Sequence, residues 1–425
     1  MTRRLIDDCF RVDADRPLVP HQNAIARLRD VLTSTVTTEH VPLAQAMGRT
    51  TAIPIIADSP IPPADNAAVD GYAVHFSELS KDNETELNVA GVARAGHPFD
   101  GPVPNNTSIR ILTGAVVPAS CDAIAMQEDC GLDAESNTVR IPPGLRRGAN
   151  IRPAGEDVAA GTQICAAGHR LHPQDLAAVA SAGVGDVICF RRPRVGLFST
   201  GDELRQPGSG PLNSGEIFDA NSAMLSALIT NAGAAPEPLG SLPDDEATVR
   251  TALSAAADAH DVIITSGGAS AGSEDHIARV LGTLGQRHLW RINIKPGRPM
   301  LFGQIGDTIV VGLPGNPVAA FVCFHLYVWP ILRTIGGAPW PEPKRLPLPA
   351  AFSFKGRKQG RREYWRGWLN TDPATGAVTV DRFPRDGSGL ITSIRLATGL
   401  IEVSEEAGDV SPGDFVSFIP LDQFR

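Results

Sequence analysis

Residues 307–335 read DTIVVGLPGNPVAAFVCFHLYVWPILRTI, and their pattern decides the fold class. Residues 308–313 are β-branched and apolar, as a buried strand requires. Gly312-Leu313-Pro314-Gly315-Asn316-Pro317 follows, and then an apolar run of helical length. Asn316 suits an N-cap, and Pro317 suits the first helical position, where its missing N–H costs nothing. Strand, glycine-rich turn and helix start in series offer N–H donors and the positive end of a helix dipole to an oxyanion. The glycines let a ligand come close to the backbone. Taken alone, the loop serves equally well as an ordinary, well-capped turn.

Upstream of this stretch the chain alternates regularly. Residues 195–198, 239–242 and 262–265 read as strands; 221–229, a segment capped by Asp244 and running to about 257, and 275–284 read as helices. Such alternation predicts a doubly wound α/β unit with a parallel sheet, whose strand C-termini share one edge, where ligands of such sheets bind. Three loops should meet at that edge. The first holds Ser199, Thr200, Gly201, Asp202 and Glu203; the second runs from Thr265 through Ser266, Gly267, Gly268 and Ser270 to Asp275. The third is the Gly312, Pro314, Gly315, Asn316, Pro317 turn. Hydroxyls and free N–H groups suit phosphate, while Asp202, Glu203 and Asp275 are hard oxygen ligands for an Mg²⁺ ion bridging to substrate phosphates. Neither a GxxxxGK[ST] nor a GxGxxG after the first strand occurs, which disfavours a P-loop NTPase or a dinucleotide dehydrogenase. Just before the third loop, Lys295 and Arg298 flank a Pro-Gly turn in RINIKPGRP (291–299), either an anion clamp or a common surface turn.

The flanks differ in character. Residues 21–32 and 42–47 read as helices, the second stopping at Gly48. A proline-rich linker at 57–63 leads into short strands at 87–93, 108–112 and 123–127, a β-rich insertion. Residues 173–182 form a helix whose apolar face should pack back on the first helices. After residue 337 strands at 346–354, 364–369, 378–380, 400–403 and 415–419 predict a small all-β unit. Its basic run, Lys355, Arg357, Lys358, Arg361 and Arg362, reads as a solvated face. The expected division is 1–57, 58–157, 158–192, 193–340 and 341–425, with 1–57 and 158–192 forming one discontinuous, small helical linker domain.

Bulk properties agree with a multidomain globular chain: 425 residues, 42% hydrophobic and 20% charged. A net charge of -9 argues against nucleic acid or anionic membrane as partner, so an anionic ligand needs a locally basic pocket. Cysteines at 9, 121, 130, 165, 189 and 323 show neither CxxC nor metal-ligand spacing, and read as reduced thiols of a cytoplasmic protein. The opening residues MTRRLIDDCF lack a signal-peptide apolar stretch, and the apolar 317–332 window, interrupted by His325 and Pro330, reads as a core helix.

VDGYA (69–73), RILTGA (110–115), GEDV (155–158), FSTGDEL (198–204), SGGASAGSED (266–275), IKPGRP (294–299) and GLPGNPV (312–318), in that order, resemble the molybdopterin molybdenumtransferase family. Its eukaryotic relatives include the C-terminal domain of gephyrin. The resemblance implies a four-domain subunit with a molybdopterin-binding α/β domain and a C-terminal β-barrel-like domain. It implies a homodimer whose active sites lie between the α/β domain of one chain and the inserted domain of the other. Adenylylated molybdopterin would be the substrate, molybdate the metal donor, and AMP the Mg²⁺-dependent leaving product. Carried over, Asp65 and Thr113 are functional positions of the inserted domain, with Glu203, Asp275 and Lys295 the other catalytic candidates. Asp157, Asp244 and Arg291 would contact substrate, and Lys295, Arg298, Arg361 and Ser388 would hold molybdate. Arg291 and Arg298 stand where lysine is frequent, Ala269 and Ala271 where valine is usual, and Val69 where methionine is common. Two other functions remain open: adenylyl transfer to molybdopterin, and a scaffold that binds molybdopterin without chemistry. A contact with the protein that adenylylates molybdopterin is also left open.

Overall fold

The computed structural model describes residues 18–268 and 276–424. Thr308–Leu313 is buried along its whole length and lies inside a six-stranded sheet. The order across that sheet is Ala235–Leu242, Arg194–Thr200, Val262–Ser266, Thr308–Leu313, Pro299–Ile305, Gln286–Arg291. The first four run parallel, as the alternation requires. The last two do not follow the expectation: Pro299–Ile305 is antiparallel to Thr308–Leu313, and Gln286–Arg291 is antiparallel to Pro299–Ile305. Only Gly306 and Asp307 separate Ile305 from Thr308, which forces a hairpin, because a parallel return needs a crossover of a dozen residues or more. Gly306 takes φ +58°, a turn conformation open to glycine. The helix after Val262–Ser266 is described from His276 to Leu284, and Asp245, one residue beyond the expected Asp244, caps Glu246–Ala259.

Pro317–Ile335 is long and apolar enough to cross a membrane, yet it is wholly buried inside the protein. It is α-helical over Pro317–Cys323 and Trp329–Ile335, with a wider π turn at Phe324–Val328. The π turn ends two residues before Pro330, whose ring removes a donor and crowds the preceding turn. This helix packs on Val195, Ile264 and Val311 of the sheet, on Leu225 and Ile229, and on Ala24 and Leu28 of His21–Val31. The first helix is thereby committed to the α/β core. Pro173–Ser181 does not reach it; Val179 packs with Val41, Ala46 and Cys189 around the short 3₁₀ turn Leu43–Gln45.

The insertion folds as a second six-stranded sheet, ordered Ala123–Met126, Gly71–Val74, Thr107–Ile111, Thr85–Ala93, Thr138–Ile141, Gly131–Asp133. Both its faces are covered by apolar clusters. The glycine of VDGYA has a steric cause: a Cβ on Gly71 would sit 2.0 Å from the Ala125 carbonyl oxygen on the neighbouring strand.

The C-terminal sheet runs Ile294–Lys295, Arg362–Thr371, Gly399–Val403, Phe415–Pro420, Leu346–Pro349, with Val378–Arg382 added on Arg362–Thr371. Ile294–Lys295 is donated by the α/β segment, so the basic turn is hydrogen-bonded to the C-terminal sheet. The expected all-β unit also holds a short helix, Ile391–Leu396. The basic run is not uniformly solvated. Arg357 is buried and donates to the carbonyls of Arg361 (2.6 Å) and Ser404 (2.7 Å), and Arg362 pairs with Glu402 (3.0 Å) and Glu405 (2.8 Å). Buried charges need such partners.

Candidate functional site

The strand-end loops meet because one helix start holds them. Asp219 caps Ala220–Asn231 through Ser222 N–H (3.0 Å), and its other oxygen accepts from the buried Ser199 hydroxyl (2.5 Å). Asn221, two residues on, donates from Nδ2 to Ser266 Oγ (2.8 Å) in the second loop and to the Gly315 carbonyl (2.7 Å) in the third. Further ties run directly between loops. Thr200 Oγ1 donates to the Ser266 carbonyl (3.2 Å), and Gly267 N–H donates to the Leu313 carbonyl (2.9 Å). Gly267 has φ +97°, and a Cβ there would lie 2.2 Å from Thr200 Oγ1. The loops can interlock only with glycine at that position. Gly268 and Gly312 are similarly tight, while Gly315 comes within 3.9 Å of the Gly267 Cα by the same measure.

Asp202 and Glu203 are exposed on the first loop. The Glu203 carboxylate folds back over Gly201, where a Cβ would be 2.3 Å from Oε2. Two adjacent carboxylates open to solvent form a donor set that a hard divalent cation accepts. Ser270 and Asp275 lie outside the described residues. Asp244 is exposed, next to the capping Asp245.

On the third loop, Pro314 and Asn316 form one wall of a cleft of about 440 Å³ whose other walls carry Lys295, Arg366, Asp386 and Ser388. Asn316 precedes Pro317 in extended backbone, without a side-chain capping bond. The Ser388 carbonyl accepts Val318 N–H (3.0 Å), which holds the C-terminal segment against the start of the core helix. Lys295 Nζ lies 3.3 Å from Glu363 Oε2, an oxygen that also accepts Trp365 Nε1–H (2.9 Å). Lys295 and Ser388, assigned together to molybdate, are brought together. Arg298 and Arg361 are not among the residues lining this cleft. Arg291 is half-buried at the end of Gln286–Arg291.

Arg366 is the cationic residue that sequence reasoning missed. It is buried, donates to Ser393 Oγ (3.0 Å) and to the carbonyls of Gly387 (3.3 Å) and Arg385 (3.4 Å), and has only neutral hydrogen-bond partners among the described residues. Burial lowers its pKa, partly offset by Asp386. A buried guanidinium bonded only to neutral groups at a cleft wall suits an oxyanion. Its signal was an arginine inside the otherwise apolar YWRGW strand (364–368).

A second group lies in the insertion. Thr113 donates both N–H and Oγ1–H to Asp70 Oδ1, each at 2.7 Å, and these bonds hold the Asp70 carboxyl below its ordinary range. Asp65 accepts Ala154 N–H (2.8 Å). Thr113 and Asp157 line a cleft of about 220 Å³ with Asn66, Gly114 and Arg152. The Asp70 pairing was missed, although both acids of this turn were visible as sequence.

Comparison with known proteins covers nearly the whole described chain. Residues 19–183 match the MoeA N-terminal region (domain I and II), 196–334 a probable molybdopterin binding domain, and 347–421 the MoeA C-terminal region (domain IV). The chain is 37% identical over 385 residues to the molybdopterin molybdenumtransferase of Haemophilus influenzae, spanning 90% of this chain and 94% of that one. It is 30% identical to gephyrin of Dictyostelium discoideum over 70% of this chain and 47% of gephyrin. The crystal structure of a molybdopterin biosynthesis MoeA protein from Pyrococcus horikoshii OT3 superposes with a TM-score of 0.81 at 28% identity, covering 95% of this chain and 100% of that one.

Proposed function

The chain belongs to the molybdopterin molybdenumtransferase family, and from that premise we propose that it inserts molybdenum from molybdate into adenylylated molybdopterin with release of AMP. One observation carries the reading: the Lys295–Arg366–Ser388 cleft shares Pro314 and Asn316 with the interlocked loops. Lys295, paired with Glu363, and Arg366 share that cleft with the donor-rich loop edge and Asp386, a setting that fits a substrate with an oxyanion beside phosphates. Lys295 and Arg366 would orient molybdate. Ser199 and Asn221 act through packing and hydrogen bonds, fixing the loops before substrate arrives.

Asp202 and Glu203 would hold Mg²⁺, which when bound supplies charge neutralisation at the phosphoanhydride. Thr113 and Asp65, on the insertion, would complete the site from the second protomer of a cytoplasmic homodimer, and Asp157 would contact substrate. This division of labour rests on the family resemblance.

The test is incubation of the purified chain with adenylylated molybdopterin, Mg²⁺ and molybdate. Molybdate-dependent AMP release with a molybdenum-loaded product is expected, and Glu203→Ala should abolish it while the fold stays intact, since Glu203 is exposed. Full turnover in that variant refutes the assignment of Glu203. Tight substrate binding without AMP release would support the scaffold reading instead, and ATP-dependent adenylylation of free molybdopterin the nucleotidyl-transfer reading.

A further inference from the structure

Away from the α/β edge, the return segment carries a donor set that the site above does not use. Cys165 Sγ, a His169 ring nitrogen and an Asp175 carboxylate oxygen lie within 4.8 Å of one another. In sequence they are C-x₃-H-x₂-H-x₂-D, with His172 between, a spacing legible only once the turn is seen to close on itself. We propose that Cys165, His169 and Asp175 form a site for a zinc-class divalent metal that staples Gln163–Cys165 to the start of Pro173–Ser181.

Three features support this. The turn bearing the ligands is held rigidly by Thr51, which is fully buried. Thr51 Oγ1 donates to the Ala166 carbonyl (2.7 Å) and accepts His169 N–H (3.1 Å), while Thr51 N–H donates to the His169 carbonyl (3.0 Å). Gly168, at φ +77°, donates to the Thr51 carbonyl (2.8 Å), and a Cβ there would lie 2.8 Å from Pro339 Cδ. Preorganised ligands spend little on ordering when metal binds.

The donor chemistry is also selective. A sulfur, an imidazole and one carboxylate are a soft-to-borderline set, matching zinc rather than magnesium or calcium. His169 Nε2 is 2.8 Å from Asp175 Oδ2, an oxygen that also accepts His172 N–H (2.7 Å), so the carboxylate is oriented before any ion arrives.

The sulfur's surroundings point the same way. Cys165 is buried, which shields a sulfur ligand from competing water. Binding would release the thiol proton to solvent. His169 is exposed enough to admit an ion: its side chain is 40% accessible, against 19% for Asp175. The His172 ring stacks edge-on beside that of His169, with ring centroids 6.2 Å apart, and is not one of the three clustered ligands.

Titrating the EDTA-treated full chain with Co²⁺ and with Zn²⁺ tests this. One tightly held Co²⁺ per chain with a thiolate-to-cobalt charge-transfer band is expected, displaced by Zn²⁺. Cys165→Ser should remove the band and weaken Zn²⁺ binding by at least about tenfold, and it should retain molybdate-dependent AMP release. His169→Asn, which leaves the sulfur in place, should weaken Zn²⁺ comparably, so a misfolded serine variant would not leave the outcome ambiguous. Absence of the band in the wild-type chain, or a band that persists in Cys165→Ser, overturns the proposal. So does Zn²⁺ affinity that neither substitution changes.

Discussion

Asn221→Ala removes the one side chain that, among the described residues, bonds to both the second and the third loop. Two hydrogen bonds disappear, to Ser266 Oγ and to the Gly315 carbonyl, at a residue with only 9% of its surface accessible. Their partners are left near the bottom of a tight loop junction, and each buried group stranded this way costs about 1–3 kcal/mol. Some water entry is expected at Gly315, so the net loss should be about 2 kcal/mol. For a domain of the α/β unit's size that corresponds to a fall in Tm of roughly 4–8 °C. Turnover should suffer more than stability. A shift of about 1 Å in a positioning loop costs on the order of 10²-fold in rate, and the Gly312–Pro317 turn supplies a wall of the cleft. Asn221→Asp sharpens the test: it keeps the shape but sets a carboxylate oxygen against the Gly315 carbonyl, so it should be at least as damaging as alanine. Thermal unfolding with molybdate-dependent AMP release is the assay. If both variants unfold within 1 °C of the wild type and turn over normally, the claim that Asn221 clamps the loops is wrong.

Arg366→Lys keeps the charge but loses the fork that spans Ser393, Gly387 and Arg385. Loss of a charge-assisted bond is worth about 1.5–3 kcal/mol, so the KM for molybdate should rise roughly 10–100-fold while the KM for adenylylated molybdopterin changes little; an unchanged molybdate KM removes Arg366 from the oxyanion pocket. Acid sensitivity should come early. Burial lowers the pKa of His325, and that of His21, from 6.5 to about 4, so both stay neutral in the fold while the unfolded chain gains protons below about pH 6.5. Stability is therefore fully present above pH 6.5 and declines toward pH 4, by about 1.4 kcal/mol per pH unit for each histidine within that window. His325→Gln should flatten the decline in a urea-midpoint series from pH 7 to 4; an unaltered slope would show that His325 does not drive it.

Motif order carried much of the fold. The alternation of apolar strands with capped helices predicted four parallel strands, because burial on both faces leaves a near-continuous apolar run that local patterning exposes. The antiparallel edge was not read, since 286–291 and 299–305 flank a basic Pro-Gly turn that dominated their appearance, and a hairpin is decided by the two-residue connection at Gly306-Asp307. Arg357 and Arg362 look like a solvated basic run in one dimension; their carboxylate and carbonyl partners, Glu402, Glu405 and Ser404, are about 40 residues away or more. Arg366 was hidden in the same way, its neutral partners supplied by a separate segment.

What the chain determines by itself is residue chemistry in order: glycines where backbones must touch, hydroxyls and acids after strands, cations beside a Pro-Gly turn. Those follow from short-range sterics and hydrogen bonding, which a few neighbouring residues specify. Only the tertiary structure decides which of them share a cleft. Lys295 meets Ser388 and Arg366 because a two-residue strand of the α/β segment pairs with the C-terminal sheet. Cys165 meets His169 and Asp175 because Thr51, over a hundred residues away, pins the turn between them. Such juxtapositions depend on long-range packing and hydrogen bonding, and no local pattern encodes them.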